Sequence, residues 1–118
     1  MSPYVIPGMD RPPQKFQSPE EAIDYVCKLF AMPREKMLRR TRKREIIEAR
    51  QTAMALVMLR FQEKYSHRIL AYKFGYDRTT LINAVKTISD IYETDKKYRQ
   101  LTRHLFAGYE WPRYKRNI

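Results

Sequence analysis

Two short helical patterns meet in Ser66-His-Arg-Ile-Leu-Ala-Tyr-Lys-Phe-Gly-Tyr-Asp-Arg-Thr-Thr-Leu-Ile-Asn-Ala-Val-Lys-Thr-Ile88. Ser66 and Asp77 each precede one pattern, where a short polar side chain can accept from the free N–H groups of a first helical turn. Gly75 stands where the first helix must end, a position that favours positive φ. The apolar residues at helical spacing are Ile69, Leu70, Phe74, Leu81, Ala84, Val85 and Ile88.

This pattern predicts a helix-turn-helix. Arg78, Thr79 and Thr80 fall on the first turn of the second helix, and in such motifs these positions contact base edges in the DNA major groove. An ordinary helical hairpin in an all-α domain produces the same pattern, so the stretch alone leaves both alternatives open. The rest of the chain has to distinguish them.

The charge of the chain indicates an anionic partner. Its 118 residues include 24 Lys and Arg against 13 Asp and Glu, which gives a net charge of +11. The hydrophobic content of 43% is too high for a disordered basic tail, so we expect a folded domain with a cationic surface. Double-stranded DNA is the first candidate and an acidic membrane surface the second. No apolar run approaches the ~20 residues that cross a bilayer, and the partner we expect is DNA, not a membrane.

The residue types that enzymes and metal sites need are scarce. Three widely separated glycines exclude a P-loop or a Gly-rich dinucleotide turn. One cysteine, Cys27, and two distant histidines, His67 and His104, cannot form an ordinary zinc site. No catalytic constellation of Ser, His and Asp stands out. We therefore expect no enzyme activity, no cofactor and no metal. The single cysteine and the absence of a secretory signal pattern favour a cytoplasmic, nucleoid-associated protein.

The chain divides into an arm, a domain and a tail. Residues 1–17 contain four prolines, residues 18–106 form a compact all-α domain of about five to six helices, and residues 107–118 are basic and aromatic. Ser18-Pro-Glu-Glu21 is a strong helix-start signal. The helix that begins there is expected to end near Ala31. Further helices are expected over residues 33–38, 45–64, 66–74, 77–92 and 95–106. His104, near the end of the last helix, is expected to be a surface residue or to complement the helix dipole rather than to be a ligand.

Both ends of the chain allow more than one interpretation. Residues 1–17 are a flexible tail, a docking peptide for a replication or virion protein, or an arm that follows a DNA groove. In the tail, either Trp111 folds back on the domain or residues 107–118 form a second basic appendage for nucleic acid or a partner.

The densest charge lies between Arg34 and Arg44, with seven basic residues against the single acid Glu35. A charge run is usually a solvated face. A run this one-sided repels itself unless an anion lies against it, so we favour a phosphate-facing segment that spans a loop and a helix start. Arg50 and Gln51 follow on the next helix and either cap the edge of the core or join this segment against a phosphate.

Two motifs resemble a known family. Ala49-Arg-Gln-Thr-Ala-Met-Ala-Leu56 is similar to Ala-Arg-Gln-x-Ala-Met-x-Leu, and Phe74-Gly-Tyr-Asp-Arg-Thr-Thr-Leu81 is similar to Phe-Gly-Gly-Arg-Asp-His-Thr-Thr-Val. Both belong to the C-terminal DNA-binding domain, domain IV, of the bacterial replication initiator DnaA. The opening helix, the short helix at 33–38 and the basic run Arg39-Arg-Thr-Arg-Lys-Arg44 extend the resemblance over about residues 18–106.

The resemblance implies a Trp-repressor-like helical fold that binds a short asymmetric duplex element as a monomer. It places Arg42 in the minor groove, Arg50 and Gln51 at the backbone and bases nearby, and Asp77, Thr79 and Thr80 in the major groove. The predicted DNA-binding set is Arg39, Arg40, Arg42, Lys43, Arg44, Arg50, Gln51, Asp77, Arg78, Thr79, Thr80 and Asn83.

The chain departs from the family pattern in its turn. The turn is one residue shorter, with Tyr76 in place of Gly-Arg, and Arg78 replaces a histidine. Because arginine can donate two hydrogen bonds to guanine O6 and N7, we expect a different recognised sequence.

The ATPase module of an initiator does not appear in this sequence. We therefore expect a stand-alone, sequence-specific DNA-binding protein with a replication or transcription role in a bacterial, phage or mobile-element genome. The alternative is an adaptor or structural protein that binds nucleic acid loosely and docks a partner through its termini.

Overall fold

Six α-helices and no strand make up residues 15–112, the part of the chain that the computed structural model describes. The predictions for residues 1–14 and 113–118 lie outside this part. The all-α class is confirmed. The helices are α1 (Pro19–Leu29), α2 (Arg34–Leu38), α3 (Arg44–Phe61), α4 (His67–Tyr72), α5 (Arg78–Thr94) and α6 (Lys96–Phe106).

The predicted start of α1 is confirmed, but its end comes earlier than expected. Ser18 Oγ accepts from the Glu21 N–H at 3.2 Å, and Pro19 occupies the first turn. The helix stops at Leu29 because Ala31 adopts a left-handed conformation, with φ of 53°. The Met32 N–H then donates to the Cys27 carbonyl at 2.9 Å, which closes the helix with a Schellman-type turn.

The central helix α3 is surrounded by the other five. Residues 52–59 are all buried, and α1, α2, α4, α5 and α6 each pack against α3. Residues 53–59, Ala-Met-Ala-Leu-Val-Met-Leu, are apolar on nearly every face of the helix, and such a helix needs neighbours on several sides. Helix α3 ends at Phe61 rather than Lys64. Gln62, Glu63 and Lys64 are exposed, so no burial of their side chains would stabilise a longer helix.

The helix-turn-helix has the predicted caps. Ser66 Oγ accepts from the Ile69 N–H at 3.2 Å, and Asp77 Oδ1 accepts from the Thr80 N–H at 2.8 Å. Gly75 has a φ of 77°. Ile69 shares the helical spacing of Leu70 but is 48% exposed, because α4 has a single turn and a half and buries only the face with Leu70 and Ala71.

The last helix covers the predicted part of the chain, but one histidine is not where the sequence suggested. Asp95 caps α6 through the Tyr98 N–H, and the Tyr98 hydroxyl shares a 2.6 Å hydrogen bond with Thr52 Oγ1 on α3. His104 is not at the surface but 5% exposed, because its Nε2 lies 2.8 Å from the Tyr25 hydroxyl on α1. Trp111 folds back and packs its ring 4.9 Å from that of Phe106.

Candidate nucleic-acid interface

The basic loop, residues 39–44, joins α2 to α3 and presents its cations to solvent. Its five basic side chains are all exposed, while Thr41 is partly buried and its Oγ1 accepts from the Lys43 N–H at 3.2 Å. No side chain of the described residues caps the start of α3. Uncapped N–H groups at a helix start are favourable for an anion, so the loop and the first turn of α3 together suit a phosphate.

The cationic run begins later than the sequence suggested. Arg34 lies 2.8 Å from Asp24 and donates to the Glu20 carbonyl, so its side chain turns toward α1. Lys36 is exposed on α2, and the other exposed charges of the run lie in the loop and at the first residue of α3.

Arg50, on α3, holds the basic loop through hydrogen bonds to its backbone. Its side chain is only 8% exposed, and Nη1 donates to the Arg39 carbonyl at 3.0 Å and to the Met37 carbonyl at 3.5 Å. A buried guanidinium directed at two backbone carbonyls is suited to holding the loop in place. Gln51 beside it is partly buried.

The turn of the helix-turn-helix lies directly against this loop. Arg40 Nη2 donates to the Gly75 carbonyl at 3.0 Å. The ring of Tyr76 faces two guanidinium groups, that of Arg40 at 4.7 Å and that of Arg50 at 5.0 Å from the ring centre. Two segments that are far apart in the sequence are thus in contact at one edge of the molecule.

The first turn of α5 continues from this contact. Arg78 and Thr79 are exposed, Thr80 is partly buried, and Asn83 is exposed one turn later. Hydrogen bonds from the Thr80 side chain and backbone lower the pKa of Asp77 below its usual value, so this carboxylate is ionised at neutral pH. Asparagine, threonine and arginine on an exposed helix start are side chains that contact base edges in DNA-binding helices.

The structure thus brings the predicted loop and the predicted start of α5 together. Of the predicted set, Arg50 is buried, Gln51 and Thr80 are partly buried, and the other nine residues are exposed. Tyr76 was missed as a site residue, although it links the two segments. No local pattern reveals this role, because both of its arginine neighbours lie far away in the chain.

Other kinds of site find little support within residues 15–112. No group of three His, Cys, Asp or Glu side chains there is arranged to hold a metal ion. The helices of this part of the chain are too short or too polar to span a membrane.

Comparison with family models identifies the family of this chain. The model described as "Bacterial dnaA protein helix-turn-helix" matches residues 19–88, which covers α1 through most of α5 and includes both the basic loop and the turn. The chain belongs to the DnaA helix-turn-helix family. The matched part is a DNA-binding helix-turn-helix domain, and the domain described above is of this type.

Curated relatives agree with this membership. The chain is 33% identical over 89 residues to the chromosomal replication initiator protein DnaA of Flavobacterium psychrophilum, with 69% of this chain and 18% of the relative covered. It is 32% identical over 80 residues to the initiator of Bacteroides fragilis, with 68% and 17% covered. The initiator of Bacteroides thetaiotaomicron is 25% identical over 99 residues, with 84% and 21% covered.

The chain thus spans about a fifth of the length of these relatives. The search of solved structures gave no significant match.

Proposed function

We propose that this protein binds a specific sequence of double-stranded DNA through two grooves at once. In this proposal Arg78, Thr79 and Thr80, with Asp77 and Asn83, contact base edges in the major groove. Arg42 enters the adjacent minor groove. Lys43, Arg39, Arg40 and Arg44 contact phosphates. Arg50 holds the loop through its bonds to the Arg39 and Met37 carbonyls, and Gln51 contacts the DNA backbone or bases near the loop.

One observation carries the proposal: the basic loop and the start of α5 lie side by side, joined by the Arg40–Gly75 hydrogen bond. A protein that reaches two neighbouring grooves needs two exposed elements on the same face. The net charge of +11 supplies the attraction to phosphates, and the exposed polar side chains at the start of α5 can supply discrimination.

The relatives suggest the biological setting. Because they are named as chromosomal replication initiators, we propose a replication- or transcription-associated role in a bacterial, phage or mobile-element genome. The proposed location is the nucleoid, and the proposed bound form is a monomer, since α5 and the loop form one asymmetric surface.

The test begins with a duplex selected from a random pool and a scrambled duplex of equal length. Arg78→Ala is expected to lose about 1–3 kcal/mol on the selected duplex and far less on the scrambled one, because it removes a base contact. Lys43→Ala is expected to weaken both duplexes similarly and to reduce the salt dependence by about one phosphate contact.

Matched controls come from the far side of the domain. Arg103 is exposed on α6, and Lys64 is exposed beyond the C-terminal end of α3, away from the basic loop. Arg103→Ala and Lys64→Ala remove the same charges, so they are expected to change affinity only slightly. If they match Arg78→Ala and Lys43→Ala on both duplexes, binding depends on net charge and the proposed surface is wrong.

A second candidate function, that of an adaptor, is suggested by the position of the two ends of the described chain. Phe16 and Tyr109 both pack against Arg60 near the C-terminal end of α3, whereas the basic loop leads into its N-terminal end. A partner held by residues 1–14 or 113–118 therefore need not compete with DNA. If the arm holds the partner, deleting residues 1–14 is expected to abolish capture of that partner and to leave the DNA affinity unchanged. A loss of DNA affinity would assign the arm to DNA instead.

A further inference from the structure

Tyr76 occupies the contact between the basic loop and the turn. Its partly buried ring faces the Arg40 guanidinium at 4.7 Å and the Arg50 guanidinium at 5.0 Å. The negative face of an aromatic ring attracts such cations, and the attraction grows when water is excluded. Two like charges that would repel each other are therefore held at one ring.

Each of the two arginines also donates a hydrogen bond to a backbone carbonyl of another segment. Arg50 comes from α3 and donates to the Arg39 carbonyl at the start of the loop. Arg40 comes from the loop and donates to the Gly75 carbonyl in the turn. The loop is thus tied both to the helix behind it and to the turn beside it, and Tyr76 is the side chain that both ties share.

We propose that Tyr76 is a positioning residue that orders the basic loop before DNA arrives and sets it in register with the first turn of α5. The inference rests on the proposed two-groove binding and adds a determinant of its specificity. Tyr76 acts through Arg40 and Arg50 on the loop that carries Arg42, and it needs no base contact of its own.

The physical reason is the cost of ordering a loop on binding. If the loop is already ordered, the whole free energy of its minor-groove contact contributes to binding. If the loop is mobile, part of that free energy is offset by the conformational entropy lost when the loop is ordered. Without the ring of Tyr76, Arg42 is therefore expected to contribute less to affinity. The first turn of α5 has its own cap in Asp77, so the contribution of Arg78 is expected to remain.

The experiment measures how much Arg42 contributes in several backgrounds. Arg42→Ala is made in the wild-type chain and together with Tyr76→Leu, Tyr76→Phe or Tyr72→Ala, and dissociation constants are measured on the selected duplex. Tyr76→Leu keeps the apolar bulk and removes the aromatic face, while Tyr76→Phe keeps the face. Tyr72 is the matched control, because it is a tyrosine of the same helix-turn-helix that is 81% exposed.

Arg42→Ala is expected to weaken binding about tenfold in the wild type, in Tyr76→Phe and in Tyr72→Ala. In Tyr76→Leu the same change is expected to cost about threefold or less, and Tyr76→Leu alone about three- to tenfold. Arg78→Ala is expected to cost the same factor in every background. Circular dichroism melts check that each variant is folded at the assay temperature, and Tyr76→Phe provides a folded variant even if Tyr76→Leu does not.

Two failures can be told apart. If the wild type does not distinguish the selected duplex from the scrambled one, the proposed function fails and this inference fails with it. If the wild type distinguishes them but Arg42→Ala costs the same in Tyr76→Leu as in the wild type, only the positioning role of Tyr76 is wrong. A tenfold loss in Tyr76→Phe alone would also overturn it, since the ring face is intact there.

Discussion

Arg50 and Arg60 lie on the same helix, and each places its guanidinium against an aromatic ring and a backbone carbonyl. Arg50 donates to the carbonyl of Arg39 and faces Tyr76. Arg60 donates to the carbonyl of Leu105 at 2.8 Å and faces Tyr109 at 4.3 Å. The chemistry is the same, but one arginine organises an exposed cationic loop and the other organises the place where the described chain ends meet.

The surroundings of the two arginines explain this difference. The basic loop next to Arg50 contains no acidic residue, so no carboxylate of the loop neutralises its positive charges. Such a surface suits an anionic ligand. Around Arg60 the neighbours are Phe16, Tyr109 and the buried His104. Burial there lowers the pKa of Arg60, and Tyr109 opposes the shift. Positive charge is exposed to a ligand at the N-terminal end of α3, whereas at the C-terminal end the charge of Arg60 lies among aromatic rings.

The largest expected effects come from exchanging each arginine for alanine. Arg50→Ala and Arg60→Ala are each expected to lower the free energy of unfolding by about 1–3 kcal/mol, because each leaves a backbone carbonyl without its donor. Only Arg50→Ala is expected to weaken specific DNA binding as well, by about tenfold, since it releases the loop. Denaturant titration measures the first quantity and duplex binding of the folded variants the second. Equal losses of DNA affinity would remove the contrast between the two ends.

A smaller pair of effects concerns two glycines with left-handed backbones. Gly75 has a φ of 77° and Gly108 a φ of 87°, and a Cβ at either position would meet no atom within 4 Å. Alanine is therefore expected to cost about 1 kcal/mol of unfolding free energy at each, from backbone strain alone.

The two glycines are expected to differ in function. Gly75→Ala is expected to lower DNA affinity, because it disturbs the carbonyl that accepts from Arg40, while Gly108→Ala is expected to leave affinity unchanged. Gly75→Asn, which tolerates positive φ better, is expected to recover most of the loss. Melting temperatures and duplex affinities of the three variants check this, and a loss in Gly108→Ala equal to that in Gly75→Ala would contradict it.

The smallest expected effect is confined to acid pH. Burial, with a contribution from Arg60, lowers the pKa of His104 below its ordinary value of 6.5. The unfolded chain then binds this proton more readily than the folded one, so stability is complete above pH 6.5 and falls as the pH drops below it.

His104→Gln is expected to flatten this fall, as measured by melting temperature between pH 7 and about pH 5. Asp77 at the other end acts in a more acidic range, because its lowered pKa makes its contribution fade only below its ordinary value of 3.8. A fall of the same steepness in His104→Gln would show that another group titrates.

Much of the fold was predictable because its signals are local. Ser18, Ser66, Asp77 and Asp95 each accept from an N–H three residues later, so consecutive residues contain the whole interaction. The burial of residues 53–59 follows from a run that is apolar on nearly every face. The surface position expected for His104 was wrong, and like the exposure of Ile69 it depended on which neighbour covered a helix face.

The sequence alone determined the helices, their caps, the positive charge and the helix-turn-helix, since hydrogen bonds within a turn and apolar periodicity act over a few residues. Only the packing of helices around α3 decided that Arg40 reaches Gly75, that Arg50 lies buried beneath the loop, and that Tyr76 stands between both arginines. These contacts join segments distant in the chain, and their geometry exists only once the core has formed.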